Sequence, residues 1–356
     1  MSLEELRKRL DDLDSKILDL LNERARVGIE VGKVKQTSNS AYYVPERERA
    51  IFERLHDLND GPLPDAAVKS IYREIMSSVR ALEKPTTVAF LGPSHTFSEL
   101  AAQRIFGSTA ELHPMPTLAD IFTEVERERV DYGVVPVESS MGGGVSDTLD
   151  RFVSSSARII NEVLLHITQN LLSTSPLEGI KKIYSKDQSF IQCRNWLVAN
   201  VPNAEQIPVA STAEAARIAA DESDAAAIGS ILAAEPYQLN VVAQRIEDSP
   251  HNYTRFFAIG RQNTRPTGKD KTSMVMSIRN RPGALMDLLL PFSKAGIDLT
   301  RIESRPSQRK AWEYVFFLDL IGHVDDPNVA ETLEQVQDVC VELKVLGSYP
   351  QGDIEI

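Results

Sequence analysis

Charged residues interrupt the apolar stripe of the first predicted helix, and their spacing places them close together. Leucine, isoleucine and valine recur at alternating steps of three and four from residue 3 to residue 34, but Arg24 takes one of these apolar positions. Lys35 lies on a face turned by only about 20° from it, with Gly28 and Gly32 between the two cations. This pattern indicates that a large anion binds against the helix. The alternative is a buried ion pair between Arg24 and a glutamate, with the glycines allowing close helix packing.

The whole N-terminal block, residues 1–84, is predicted to be helical. Pro45 suits the first turn of a second helix, which begins with Arg47 and Glu48, and Glu83 extends the apolar face of a third helix. The first helix would be about 50 Å long. One small domain cannot cover so long an apolar stripe, which predicts that a second copy of the chain packs against it.

The middle block, residues 86–262, alternates short β-rich segments with helical stretches, which is typical of an α/β fold. Ligands are expected where strand ends meet helix starts. One such strand end reads Glu138-Ser139-Ser140 and is followed, after Met141, by three glycines. A glycine run can bind an anion through its backbone N–H groups, and a flexible turn is the alternative interpretation.

Two more segments of the middle block carry polar side chains that could bind or catalyse. Asn252-Tyr253-Thr254-Arg255-Phe256 places a hydroxyl beside a guanidinium, although its alternation also fits a plain strand. The other segment holds Ser185, Gln188 and Gln192, followed by Cys193. Thiol chemistry at Cys193 is less consistent with the pattern than a small buried residue.

The C-terminal block, residues 272–350, follows the order strand, helix, strand, strand, helix, strand of a ferredoxin-like α+β module. Gly283 and Ala284 open its first helix directly after a strand, where small residues let the backbone come close to a ligand. Glu303-Ser304-Arg305-Pro306 ends the second strand. We interpret this block as a regulator rather than a catalyst, and a dimerisation module without a ligand is the alternative.

Composition disfavours several other classes of protein. The 356 residues are 42% hydrophobic and carry a net charge of -12, so neither wholesale disorder nor a nucleic-acid partner is expected. Cys193 and Cys340 are the only cysteines, and the histidine spacing matches no metal site. No apolar run approaches the length of a membrane helix. We therefore expect a cytoplasmic protein without a membrane segment, metal or cofactor.

The helical block resembles the all-helical chorismate mutases. The matching motifs are Leu6-Arg7-Lys8-Arg9-Leu10-Asp11-Asp12-Leu13-Asp14, Leu20-Leu21-Asn22-Glu23-Arg24, Val31-Gly32-Lys33-Val34-Lys35 and Pro45-Glu46-Arg47-Glu48. The resemblance implies an intertwined dimer of three-helix protomers that converts chorismate to prephenate. It implies that Arg24 and Arg47 bind the substrate carboxylates and that Lys35 and Glu83 flank the ether oxygen. Glu48 would hold a substrate hydroxyl. Arg7 would reach the site from the partner subunit.

The middle block resembles the prephenate dehydratases, most specifically through Asn252-x-Thr254-Arg255-Phe256. The resemblance implies two α/β lobes, similar to periplasmic binding proteins, with prephenate in the cleft losing its ring hydroxyl and CO₂ to give phenylpyruvate. Thr254 would donate a proton to the hydroxyl, polarised by Ser185 or Glu138. Arg255 would orient its loop or hold a carboxylate. Three weaker substrate contacts are also implied: Ser139, Gln188 and Gln192.

The C-terminal motifs Gly283-Ala284-Leu285 and Glu303-Ser304-Arg305-Pro306 resemble those of phenylalanine-binding ACT-type domains. Such domains pair and bind the amino acid between them, which implies phenylalanine as an effector. The three resemblances, in this order, predict a multidomain bifunctional chorismate mutase–prephenate dehydratase that forms a homodimer or higher homo-oligomer. Two alternatives stay open: a dehydratase that prefers arogenate, and a non-catalytic protein that binds a small ligand.

Overall fold

The computed structural model describes residues 1–38, 41–279, 281–306 and 314–355. Its contacts divide the chain into two compact units. The first, the helical unit, contains Met1–Thr87 together with the short segment Phe106–Glu111. The second unit contains Val88–Ile105 and Leu112–Ile356.

Three helices form most of the helical unit: α1 (Leu3–Ser38), α2 (Pro45–Leu58) and α3 (Asp65–Glu83). A capping box starts α1, because the Ser2 Oγ accepts from the Glu5 backbone N–H while the Glu5 carboxylate accepts from the Ser2 N–H. The structure confirms the all-helical prediction for this block. Within one chain, however, every apolar residue of the α1 stripe is exposed: Leu3, Leu6, Leu10, Leu13, Ile17, Leu20, Val27, Val31 and Val34.

Two α/β lobes begin the second unit, and the chain crosses between them twice. The sheet of lobe 1 has the order β16-β5-β11-β3-β1-β2, with β4 paired to β3. Its strands are β1 (Thr87–Leu91), β2 (Glu111–Met115), β3 (Tyr132–Ser139), β4 (Gly143–Gly144), β5 (Arg158–His166), β11 (Tyr253–Gly260) and β16 (Ile354–Glu355). Helices α4 (Phe97–Phe106), α5 (Leu118–Glu126) and α6 (Ser146–Ser154) lie between them in the chain.

Lobe 2 is inserted between β5 and β11, and its sheet has the order β10-β6-β9-β7-β8. The strands are β6 (Asn170–Ser173), β7 (Lys182–Ser185), β8 (Glu205–Pro208), β9 (Ala225–Gly229) and β10 (Asn240–Ala243). The helices are α7 (Asp187–Gln192), α8 (Arg194–Asn200) and α9 (Thr212–Asp221). This insertion confirms the predicted two-lobed architecture.

The C-terminal sheet follows lobe 1 and has the order β13-β14-β12-β15. Its elements are β12 (Asp270–Ser277), α10 (Ala284–Lys294), β13 (Leu299–Pro306), β14 (Tyr314–Ile321), α11 (Pro327–Val339) and β15 (Glu342–Pro350). This is the expected ferredoxin-like order. One face packs on α10 and α11, and the other shares a core with lobe 1, where Phe317 and Tyr349 join Phe152 and Phe257.

Candidate active sites

The helical unit contains a pocket of about 350 Å³ that all three helices line. Five of the predicted site residues lie on its wall: Arg24, Lys35, Arg47, Glu48 and Glu83. Among the described residues, Arg24 and Arg47 form no ion pair, so their charges are available to an anion. Arg7 does not line this pocket and is exposed on α1. The expected alternative, an ion pair of Arg24 with a core glutamate, is not what the described residues form.

Lys35 and Glu83 face each other across the pocket, with the Lys35 Nζ 3.0 Å from the Glu83 Oε2. The same Nζ donates to the Tyr42 carbonyl oxygen at 3.0 Å. The glycines between the two cations serve helix packing, because a Cβ on Gly28 would overlap the Val79 side chain and one on Gly32 would lie 3.0 Å from the Glu83 Cβ. Close approach of α1 and α3 is therefore what brings Lys35 to Glu83.

Glu48 has a partner that the motifs did not include. The Arg80 Nη1 donates to the Glu48 Oε1, and both side chains line the pocket. Burial raises the pKa of the Glu48 carboxyl, while Arg80, and after it Arg73 and Lys35, act to lower it. Arg73 and Arg80 lie on the buried face of α3 with Met76. Their seven-residue spacing on an otherwise apolar face is the sequence signal that could have revealed them.

Thr254 lies at the start of β11, between β3 and β5, and is half-buried. Its partner on β3 is Ser139, and hydrogen bonds of the adjacent residue Ser140 stabilise this register. The Ser140 Oγ donates to the His251 carbonyl oxygen at 2.9 Å and accepts from the Tyr253 N–H at 3.0 Å. The strand end of β3 and the segment before Thr254 are therefore held together.

The glycine run after β3 forms a tight hairpin, in which β4 folds back on Glu138 and Ser139. Gly143 has a φ of +72°, which favours glycine. A Cβ on Gly142 would lie 2.9 Å from the Gln188 Nε2 of lobe 2. The glycine run is therefore a turn in the structure, and whether its N–H groups bind an anion stays a prediction. The hairpin brings Gln188 and the end of β3 together across the two lobes.

Ser185 and Gln192 are buried, and their polar atoms bind to lobe 2 and to the two segments that connect the lobes. The Ser185 Oγ donates to the Ile228 carbonyl oxygen at 2.8 Å. Gln192 accepts from Gln169 at 2.9 Å and donates to Asn252 at 3.4 Å. The structure therefore gives Ser185 a backbone partner in place of Thr254. Cys193 is fully buried, and burial raises the pKa of its thiol, which matches the expectation of a packing residue.

Arg255 pairs with Glu138, and this pair lies next to the Thr254–Ser139 pair along the two strands. Because consecutive side chains of a strand point to opposite faces, Glu138 and Arg255 lie on the opposite face of the sheet from Thr254. The expectation that Glu138 polarises Thr254 finds no contact in the structure. Arg255 is buried and bound to protein groups: the Glu162 carboxylate at 2.7 Å, the Asp319 Oδ2 at 2.5 Å and the Tyr349 Oη at 3.0 Å. Its guanidinium is thus not free to hold a substrate carboxylate, and this geometry fits the alternative role of orienting its strand.

The two C-terminal motifs point in different directions within one chain. Gly283, with a φ of +81°, precedes α10, in which Ala284 is buried and Leu285 is 40% exposed. Glu303 and Arg305 face lobe 1 instead, because side chains alternate along β13.

Two contacts fix this orientation. Arg305 donates to the Ser146 Oγ at 2.7 Å, and Glu303 pairs with Arg301 against Gly144. Ser304 lies on the exposed side of β13. The structure therefore does not bring Glu303 and Arg305 to the Gly283–Leu285 segment of the same chain.

No group of three or more histidine, cysteine, aspartate or glutamate side chains that could bind a metal ion occurs within residues 1–38, 41–279, 281–306 and 314–355. None of the helices in this described part of the chain combines the length and apolar character needed to cross a membrane.

Comparison with known proteins assigns each block to a family. The family model of type II chorismate mutases matches residues 6–84, that of prephenate dehydratases matches residues 88–264, and that of ACT domains matches residues 272–338. A solved prephenate dehydratase from Arthrobacter aurescens, in complex with L-Phe, is 36% identical with a TM-score of 0.70, covering 75% of this chain and 90% of that chain.

Two curated relatives extend the similarity over nearly the whole chain. The bifunctional chorismate mutase/prephenate dehydratase of Aquifex aeolicus is 47% identical, and the protein of the same name from Stutzerimonas stutzeri is 48% identical. Each alignment covers 98% of this chain and 98% of the relative. The order of domains inferred from the motifs is confirmed, and the chain belongs to the family of bifunctional chorismate mutase/prephenate dehydratases.

Proposed function

We propose that the chain rearranges chorismate to prephenate in the helical unit and converts prephenate to phenylpyruvate between the two lobes, with phenylalanine as the effector. The observation that carries the proposal is the pocket in which the predicted residues of all three helices meet. The domains would be residues 1–84, 86–262 and 272–350, and the cytoplasmic location stays a prediction.

The mutase reaction is a pericyclic rearrangement, so it needs neither a nucleophile nor a proton transfer. Binding must hold the dicarboxylate in a compact conformation and stabilise negative charge on the breaking ether oxygen. Arg24 and Arg47 are suited to the two carboxylates, because the planar guanidinium can donate two parallel hydrogen bonds. Lys35 and Glu83 face each other at 3.0 Å, where both can reach the ether oxygen, Glu83 as a donor in its protonated form.

The mutase site would be completed by a second copy of the chain. The exposed apolar stripe of α1 is about 50 Å long and needs a partner of the same length, which another α1 supplies. Such a pairing would allow Arg7 of the partner subunit to enter the pocket. The proposed mutase function therefore includes a homodimer, because the partner subunit supplies Arg7.

The dehydratase reaction would take place beside Thr254. As the bond to the ring carboxylate breaks, CO₂ leaves and the electron pair of that bond completes the aromatic ring while the ring C–O bond breaks. The proton that Thr254 donates turns the departing hydroxide into water, and Thr254 then recovers a proton from solvent. Ser139, which pairs with Thr254, and Gln188, which approaches from lobe 2, are the side chains best placed to hold the substrate. A pocket between two lobes can exclude water and limit the reaction to the bound substrate.

Phenylalanine would bind at the C-terminal domain, between the Gly283-Ala284-Leu285 segment of one subunit and the exposed side of β13, including Ser304, of its partner. Glu303 and Arg305 would act from the same strand through their contacts with lobe 1. The complex of the Arthrobacter aurescens relative with L-Phe supports this choice of effector. A ligand that prefers one arrangement of paired subunits shifts the population toward it.

Pure full-length protein mixed with chorismate provides the test, with prephenate and phenylpyruvate measured over time. We expect transient prephenate followed by phenylpyruvate, and inhibition by added phenylalanine. Accumulation of prephenate alone would refute the dehydratase assignment, unless arogenate is consumed in its place, which would support the arogenate alternative. No reaction at all would favour the non-catalytic ligand-binding protein.

A further inference from the structure

Arg80 is a buried cation in the wall of the mutase pocket to which neither the motifs nor the comparisons give a role. Its side chain is only 8% exposed. One guanidinium nitrogen, Nη1, donates to the Glu48 Oε1, and the other, Nη2, donates to the Phe106 carbonyl oxygen at 2.7 Å. The guanidinium also stacks over the Tyr43 ring, 5.0 Å from its centroid. Arg80 is thus fixed from three sides and directed at one carboxylate.

The support for Arg80 comes from the short segment Phe106–Glu111, which packs within the helical unit. The Phe106 ring lies 4.7 Å from that of Tyr43, and the Ser77 and Thr109 hydroxyls are 2.5 Å apart. Gly107 has a φ of +82°, and a Cβ there would overlap Ser77. Only glycine lets this backbone approach α3 so closely, and the approach holds the Phe106 carbonyl in reach of Arg80.

Glu48 needs such a partner because it is buried among several charges. Its side chain is 16% exposed. The charged groups that face it are Arg80 and Arg73 from α3 and Lys35 from α1. The same pocket is also lined by Arg24, Arg47 and Glu83. With this many cations nearby, the Glu48 side chain could adopt rotamers that pair its carboxylate with different partners. The orientation of the carboxylate then decides which substrate atom it can contact.

We propose that Arg80 is a positioning residue of the mutase reaction, which holds Glu48 as an oriented, ionised acceptor for a hydroxyl of the substrate. This inference rests on the proposed mutase function. Arg80 uses one face of its fork for Glu48 and the other for the Phe106 carbonyl, a division that a lysine ammonium cannot reproduce with the same geometry. Without Arg80, burial would favour the neutral acid, which no longer accepts with both oxygens.

The test compares Arg80→Met, Arg80→Lys, Glu48→Gln and the Arg80→Met/Glu48→Gln double variant in the full chain. Mutase kcat/KM is measured from pH 5 to 9. Far-ultraviolet circular dichroism reports folding of the helical unit in the same preparations, and dehydratase activity on added prephenate reports folding of the second unit. We expect Arg80→Met to lower kcat/KM on the order of tenfold to hundredfold near pH 6. The ascending limb of its pH profile should shift to higher pH, because Glu48 without the contact to Arg80 ionises at higher pH. Arg80→Lys should recover part of the lost kcat/KM.

The double variant separates positioning from a direct role. If Arg80 acts through Glu48, the double variant is no worse than Glu48→Gln alone. Multiplied losses, or an Arg80→Met profile parallel to that of the wild type, would overturn the inference. Should Arg80→Met lose its helical circular dichroism and so fail to fold, the pH profile of Arg80→Lys decides by the same criterion. A wild type that does not consume chorismate would instead refute the proposed function and the inference with it.

Discussion

The Arg255 Nη1 lies 2.5 Å from the Asp319 Oδ2, and this contact joins the strand that carries Thr254 to the C-terminal sheet. Glu162 of β5 binds the same guanidinium and also the Lys271 ammonium at 3.0 Å. Ser273 completes the cluster, since its hydroxyl donates to the Asp319 carboxylate at 2.5 Å. Two cations and two carboxylates thus form one largely buried cluster. A displacement of the C-terminal sheet would therefore also displace β11.

Replacing Asp319 with asparagine should therefore weaken both stability and regulation. The substitution leaves Arg255 and Lys271 with Glu162 as their one close buried carboxylate partner, and breaking a buried pair costs about 3–5 kcal/mol. We expect a lower melting temperature and a weaker response of dehydratase activity to phenylalanine. Asp221→Asn is the matched control, because its pair with Arg217 is exposed and separated by 3.8 Å. Equal melting temperatures of the two variants would contradict the prediction.

Thr254→Ala should remove most of the dehydratase activity and leave the mutase intact. A positioned proton donor typically contributes on the order of a hundredfold or more to a rate. The measurement is phenylpyruvate formed from prephenate, beside prephenate formed from chorismate. Thr123→Ala serves as the control, because the Thr123 hydroxyl donates only to the Ala119 carbonyl oxygen of its own helix at 2.9 Å. Near-normal turnover of prephenate by the Thr254 variant would remove this residue from the mechanism.

Glu83 should contribute to the mutase reaction as a polar group beside the ether oxygen. Its carboxyl meets Lys35 at 3.0 Å on the wall of the pocket, where a hydrogen-bond donor would stabilise negative charge on that oxygen. Glu83→Gln keeps the side-chain length and supplies an amide N–H donor, so it should retain mutase kcat/KM, whereas Glu83→Ala should lower it on the order of a hundredfold. Glu53→Gln, on the exposed Arg49–Glu53 pair of α2, should match the wild type. Equal kcat/KM of Glu83→Ala and the wild type would remove Glu83 from the mechanism.

Gly28→Ala should disturb the mutase pocket through packing alone. The added Cβ would overlap the Val79 side chain, so α1 and α3 must separate, which moves Lys35 away from Glu83. Overpacking of this kind costs about 1–3 kcal/mol, although alanine recovers part of it through helix propensity. We expect a lower melting temperature and a higher KM for chorismate. Gly61→Ala provides the comparison, since its Cβ would meet no atom closer than 3.8 Å.

Periodicity predicted one part of the mutase pocket, and the resemblance to chorismate mutases supplied the rest. A helix of 3.6 residues per turn places the interrupted positions Arg24 and Lys35 on one face of α1. Arg47, Glu48 and Glu83, on α2 and α3, were implied by the resemblance, and all five residues line one cavity. The periodicity did not show that Gly28, which lines the cavity, and Gly32 also make room for α3. That contact depends on which side chain of another helix lies opposite, and one helix pattern does not contain that information.

The surroundings of Thr254 could not be predicted in the same way. Arg255 is bound by Glu162, Asp319 and Tyr349, which are separated from it by 93, 64 and 94 residues, respectively. Only the register of β11 against β3 shows that Arg255 and Glu138 lie across the sheet from Thr254. The motif Thr254-Arg255-Phe256 suggests that its side chains act together, but neighbouring side chains of a strand point to opposite faces of the sheet.

The segment Phe106–Glu111 has a consequence for recombining this protein with its relatives. A chimera joined at Lys84, the predicted end of the helical block, would take Tyr43 and Ser77 from one parent and their side-chain partners Phe106 and Thr109 from the other. Shuffled genes that ignore this dependence should yield mutases with impaired turnover, even when each parent is fully active. Transplanting the short segment along with the three helices would keep these side-chain partners matched.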